Sequence, residues 1–148
     1  MNLANDCYSG LFSNCSSIVN APELPATILA DYCYCNMFDN CKLLECAPYL
    51  PAKNLTTGCY NFMFAECANL KTITTNQAQI GEDYCFSWVI NVNSSGVFTC
   101  PNIQNIVKDV SNCPTGWNIN TWWGFFVQAI EPGATVELTG MGSITVSL

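Results

Sequence analysis

The chain has 148 residues, half of them hydrophobic, with four lysines, no arginine, eleven acids and no histidine, for a net charge of −7. That length suits one domain or a few stacked repeats, and so few cations cannot neutralise phosphates, which argues against nucleic acid and an anionic membrane as partners. The densest apolar run, Trp122 to Ile130, is far shorter than the roughly 20 residues needed to cross a bilayer, so no membrane insertion is expected. Without histidine the commonest general base is missing, and no Ser-His-Asp or Cys-His arrangement can be assembled.

From the start of the chain, Met1 leads into the polar run Asn2 to Asp6 with no basic start and no apolar stretch, so no secretion signal is expected. Aligned on itself, the chain repeats with a period of 26 residues. Leu3-Ala-Asn-Asp-Cys7-Tyr8-Ser-Gly-Leu11-Phe12-Ser-Asn-Cys15 lies above Leu29 to Cys41 and then above Leu55 to Cys67, without a gap. A fourth copy begins near Gly81 and keeps Cys85 and Phe86 before drifting into Trp88, Val89 and Ile90. In each copy apolar residues recur four apart (Leu29, Cys33, Met37), with a neighbouring set beside them (Tyr34, Phe38, Cys41). This spacing predicts a short helix with one apolar face.

The segment that follows, Lys42 to Ala47 in one copy and Ala68 to Ile73 in the next, predicts a brief strand. It is closed by Ala21-Pro-Glu-Leu-Pro-Ala26 and Ala47-Pro-Tyr-Leu-Pro-Ala52, a motif that decays to Thr74-Thr-Asn-Gln-Ala78 in the third copy. One helix and one strand cannot bury their own apolar faces, so the expected fold is an α/β repeat solenoid, each coil a short helix plus a short parallel strand. Leu29, Cys33, Met37, Phe38 and Leu43 are its expected core. The boundaries are residues 1–92 for the solenoid (coils starting near 3, 29, 55 and 81), 93–119 for a degenerate terminal coil and 120–148 for the tail.

The tail reads as three strands, Trp122 to Ile130, Ala134 to Thr139 and Ser143 to Leu148, joined by turns at Glu131-Pro-Gly133 and Gly140-Met-Gly142. It is expected to be a β-rich C-terminal cap. The alternative is an oligomer interface made by Trp122, Trp123, Phe125 and Phe126, since aromatics dominate interface cores.

Eleven cysteines admit two readings, disulfides or buried thiols acting as small hydrophobes. Seven fall into structural columns at the repeat period, Cys7, Cys33, Cys59 and Cys85 in one and Cys15, Cys41 and Cys67 in the other, which favours a buried, reduced ladder. Cys35, Cys46, Cys100 and Cys113 lie off the columns and are better candidates for bonded or free thiols. The closest pair, Cys33-x-Cys35, lacks zinc-knuckle spacing, so no metal and no cofactor are expected. Glu82 and Asp83 are adjacent and suit a helix start, where negative charge is favoured, better than a catalytic carboxylate pair. No catalytic residue is assigned.

The string Tyr32-Cys-Tyr-x-x-Met-Phe-x-x-Cys-x-x-Leu44 followed by Ala47-Pro-x-Leu-Pro-Ala52 resembles the BspA-like leucine-rich repeats of gut Bacteroides and their associated phages and mobile elements. The resemblance covers roughly residues 3–119. It implies a leucine-rich-repeat solenoid, exposed on a cell surface, a virion or otherwise outside the cell, with a role in adhesion or recognition. The expected function is therefore a non-catalytic module binding a protein or glycan. Ligand-contact candidates are the positions that vary while their neighbours repeat: Asn20, Glu45 and Thr72 at one register, Glu23 and Tyr49 at another. The alternative is a structural or assembly component of a phage particle or appendage, a homo-oligomer held by the aromatic tail.

Overall fold

The computed structural model describes residues 3–77, 80–101, 106–121, 135–138 and 142–145. Successive windings stack on one another, and each begins with a ribbon of overlapping turns, not a helix. In the first ribbon the N–H groups of Cys7, Ser9, Leu11, Ser13 and Cys15 each donate to the carbonyl three residues back. The N–H groups between them, from Asp6, Tyr8, Gly10, Phe12 and Asn14, donate instead to Asp31, Cys33, Cys35, Met37 and Asp39 of the next winding, at 2.8 to 3.1 Å. The second ribbon repeats the pattern onto Thr57, Cys59, Asn61, Met63 and Ala65. Every backbone donor thus finds a partner, half inside the ribbon and half across the stack.

The expected solenoid of helix-plus-strand coils is overturned: among the described residues the only helix is α1, Glu82–Cys85, and the only parallel sheet has three short strands. The physical reason lies in the period. A helix turns about 100° per residue, so residues four apart walk about 40° around it, and about 120° from Leu29 to Cys41. A turn ribbon repeats every four residues with no drift. Its marker is positive φ at every fourth residue, at Asp6, Gly10 and Asn14, then Tyr32, Asn36 and Asn40, then Gly58, Phe62 and Glu66. Gly, Asn and Asp fill most of these positions because they adopt left-handed backbone at least cost. At Gly58 a Cβ would also lie 2.3 Å from the Tyr32 ring, so a side chain there would have to displace that exposed ring.

Stacking at the repeat offset places like rings face to face. Tyr8 and Tyr34 lie 5.7 Å apart, Phe12 and Phe38 5.5 Å, and Phe38 and Phe64 5.7 Å, with interplanar angles of 15° or less. Each such pair contributes about 0.5–1.5 kcal/mol beyond the area it buries. The fourth winding is one residue short. Glu66 donates to Ile90, an offset of 24, where Asn40 donates to Ala65, an offset of 25. Phe86 therefore does not continue the Tyr60 column as the alignment suggests. Trp88, fully buried, closes both columns, 6.1 Å from Tyr60 and 6.0 Å from Phe64, and anchors its indole N–H on the Asn112 carbonyl at 2.8 Å.

Beyond the ribbons the windings run parallel. The strands expected over Lys42 to Ala47 and Ala68 to Ile73 appear as single bridges from Asn20 to Cys46 and from Cys46 to Thr72, and as β1, Thr72–Thr74. β1 pairs with β2, Val97–Cys100, and β2 with β3, Asn118–Thr121, all parallel. The core residue of the Lys42 to Ala47 segment is Leu44, fully buried; the expected core residue Leu43 points outward, 46% exposed. In the tail, β4 (Thr135–Leu138) and β5 (Gly142–Thr145) form an antiparallel hairpin, while the first expected strand, Trp122 to Ile130, lies outside the described residues. Among the described residues no helix is long and apolar enough to cross a membrane.

Candidate functional site

The two Ala-Pro-x-Leu-Pro-Ala segments lie in adjacent windings. Leu24 and Leu50, with Ala26 and Ala52, point into the core and hold each segment down. Pro22, Pro25, Pro48 and Pro51 have no N–H to offer, and among the described residues no backbone hydrogen bond joins 22–26 to 48–52. The other face of the second segment is zipped: Leu50 N–H donates to Thr74 at 3.0 Å, and Asn76 N–H to Leu50 at 2.9 Å. Where the prolines prevent zipping, the windings leave a cleft of about 370 Å³ lined by Ala21, Pro22, Glu23, Leu24, Pro25, Pro48, Tyr49 and Pro51.

The variable residue of each motif lines this cleft. Glu23 and Tyr49 share one position of the repeat and are exposed, Tyr49 by 45%. Among the described residues that line the cleft, Glu23 is the one that carries charge. Burial of part of the tyrosine pushes its hydroxyl pKa upward, so it stays a neutral donor and acceptor through the physiological range.

The other ligand candidates do not gather there. Asn20 and Thr72 each bridge to Cys46, so Cys46 and not Glu45 occupies the register between them, which corrects the expected grouping. Glu45 lies one residue away, 3.9 Å from the Lys71 ammonium in a half-exposed pair of the kind that adds little stability. Trp122, Trp123, Phe125 and Phe126, the interface candidates, lie outside the described residues.

None of the eleven cysteines forms a disulfide. Cys33, Cys59 and Cys85 of one column, and Cys41 and Cys67 of the other, are buried, whereas Cys7 and Cys15, which head the columns, are exposed. The thiols of Cys41 and Cys67 each donate to a carbonyl of the winding before, Phe12 and Phe38, at 3.1 Å. Desolvation raises their pKa values, to about 11 for Cys33, Cys41 and Cys113 and to about 12 for Cys59 and Cys67, with Cys85 also pushed up. Such thiols are poor nucleophiles.

A pH dependence follows. In the unfolded chain a thiol ionises near about 8.5, so above that pH the unfolded state loses protons that the folded state keeps. Stability that is complete below about pH 8.5 is lost as pH climbs towards the folded values of about 11 to 12. Under reducing conditions the urea midpoint is expected to fall steadily between about pH 9 and 11. A midpoint unchanged across that window contradicts burial of the columns.

No family model, curated protein or solved structure matches the chain.

Proposed function

We propose that the protein is a surface-exposed, non-catalytic recognition module that binds a glycan in the cleft between the two proline-rich segments. The observation that carries this reading is the meeting of Glu23 and Tyr49 in one cavity walled by four prolines. An aromatic ring and the flat faces of proline offer an apolar platform for the C–H face of a pyranose, and a carboxylate accepts hydrogen bonds from its hydroxyls. A mostly apolar lining with a few convergent polar groups, at about 370 Å³, falls in the lower part of the range of ligand sites, about 300–1,000 Å³. The scaffold beneath is rigid, with Leu24, Ala26, Leu50 and Ala52 all buried, so little ordering entropy is spent on binding.

The test is a glycan-array screen of the intact chain, followed by titration of the best glycan against Tyr49→Ala and Glu23→Gln. Both side chains are exposed, so both variants are expected to stay folded. Tyr49→Ala is expected to weaken binding about tenfold or more, since aromatic anchors carry a large share of contact energy. An array with no glycan retained, or an affinity unchanged in both variants, refutes the reading.

A further inference from the structure

The cleft between the proline-rich segments is chemically lopsided. Four of its eight lining residues are prolines, each with a carbonyl but no N–H, so acceptors outnumber donors along its walls. Glu23 adds a carboxylate, and no lysine is among the lining residues. The one ion pair among the described residues joins Lys71 to Glu45, which leaves the Glu23 carboxylate without a cation to balance it. Tyr49, at the same position of the next winding, brings an aromatic ring into the same cavity.

We infer that the glycan bound here carries a free ammonium group, and so is an amino sugar whose nitrogen is not acetylated, a reading that rests on glycan binding in the cleft and narrows it. A primary ammonium has three donors and no acceptor, the complement of an acceptor-rich wall. Its bond to the Glu23 carboxylate is charge-assisted, roughly twice as strong as one from a neutral hydroxyl. The face of an aromatic ring attracts the same cation. A neutral sugar offers the carboxylate only hydroxyls, which replace water with a donor of the same kind and add little. An acidic sugar, whether a uronate, a sialate or a sulfate ester, brings its charge against Glu23 with no cation in the lining to receive it, on a chain of net charge −7. Acetylation of the amine removes its charge and two of its donors, and adds an acceptor where acceptors are already in excess.

Calorimetric titration of the intact chain at about pH 6, where an amine holds its proton, compares a glucosamine oligomer with its fully N-acetylated counterpart of equal length. The glucosamine oligomer is expected to bind at least about tenfold more tightly. Glu23→Gln is expected to reduce that preference to about twofold or less, whereas Glu82→Gln, which removes the same charge from an exposed position on α1, is expected to keep it. An N-acetylated oligomer that binds as tightly overturns the inference and leaves the glycan reading standing, as does a glycan array that retains only neutral or acidic sugars. An empty array removes both. A preference that survives Glu23→Gln, or that falls equally in Glu82→Gln, belongs to the overall charge of the chain and overturns the inference, as does an oligolysine peptide of equal charge that binds as tightly.

Discussion

Gly96→Ala is expected to cost about 3 kcal/mol of folding stability, at the upper end of what one added methyl does in a packed site. A Cβ at this position would lie 2.4 Å from the Lys71 carbonyl oxygen and 2.7 to 2.8 Å from the Trp117 indole. Neither neighbour can give way cheaply. The Lys71 carbonyl accepts the Val97 N–H at 2.8 Å and belongs to the winding beneath. Trp117 is fully buried and its indole N–H is tied to the Asn93 carbonyl at 2.7 Å. Relief must come from prising β2 away from β1 or from β3, which the Asn118 N–H to Gly96 carbonyl bond of 2.9 Å holds in place. Urea denaturation checks the loss, and Gly81→Ala is the control, because nothing lies within 4 Å of a Cβ there. The control is expected to stay within about 0.5 kcal/mol of the parent. Similar midpoints for the two variants contradict the packing described at Gly96.

Phe64→Ala is expected to cost about 3–5 kcal/mol, whereas Phe12→Ala, at the same position of the repeat, is expected to cost about 1 kcal/mol or less. Phe64 is fully buried, stacked on Phe38 at 5.7 Å and closed by Trp88 at 6.0 Å, so its removal leaves a cavity that rings held on both sides cannot fill. Phe12 has a ring on one side only, 5.5 Å away, and is partly open to solvent. The two substitutions remove the same atoms from the same kind of turn, so the difference between them isolates what stacking on both faces contributes. Chemical denaturation of both variants measures it. Equal losses at the two positions mean that the windings do not share one continuous core.

Both experiments probe features that were unequally legible in the sequence. The columns were plain: Tyr8 with Tyr34, Phe12 with Phe38 and Phe64, and the seven column cysteines all carry the period in their numbering. So was the equivalence of Glu23 and Tyr49, because the motif around them repeats. The conformation of the ribbon is not fixed by spacing alone, because spacing of four matches a helical face over one turn and departs from it only over several. A second signal lay beside it, the turn-forming Asp6, Gly10 and Asn14 at the same spacing, which a helix interior does not favour. The register at Cys46, the outward Leu43 and the missing residue in the fourth winding left no such signal. The cleft was half visible, since four prolines without N–H groups mark where adjacent windings cannot zip.

By itself the sequence determined which residues are equivalent, since equivalence is carried by side-chain identity at a constant separation along the chain. Only the tertiary structure decided how the chain travels between equivalent residues. That path is selected by where each backbone N–H finds its acceptor, and in the first three ribbons every second acceptor lies 24 or 25 residues away, in the winding that follows. A local reading of spacing looks for partners three or four residues off and cannot anticipate a bond that exists only once two windings have met.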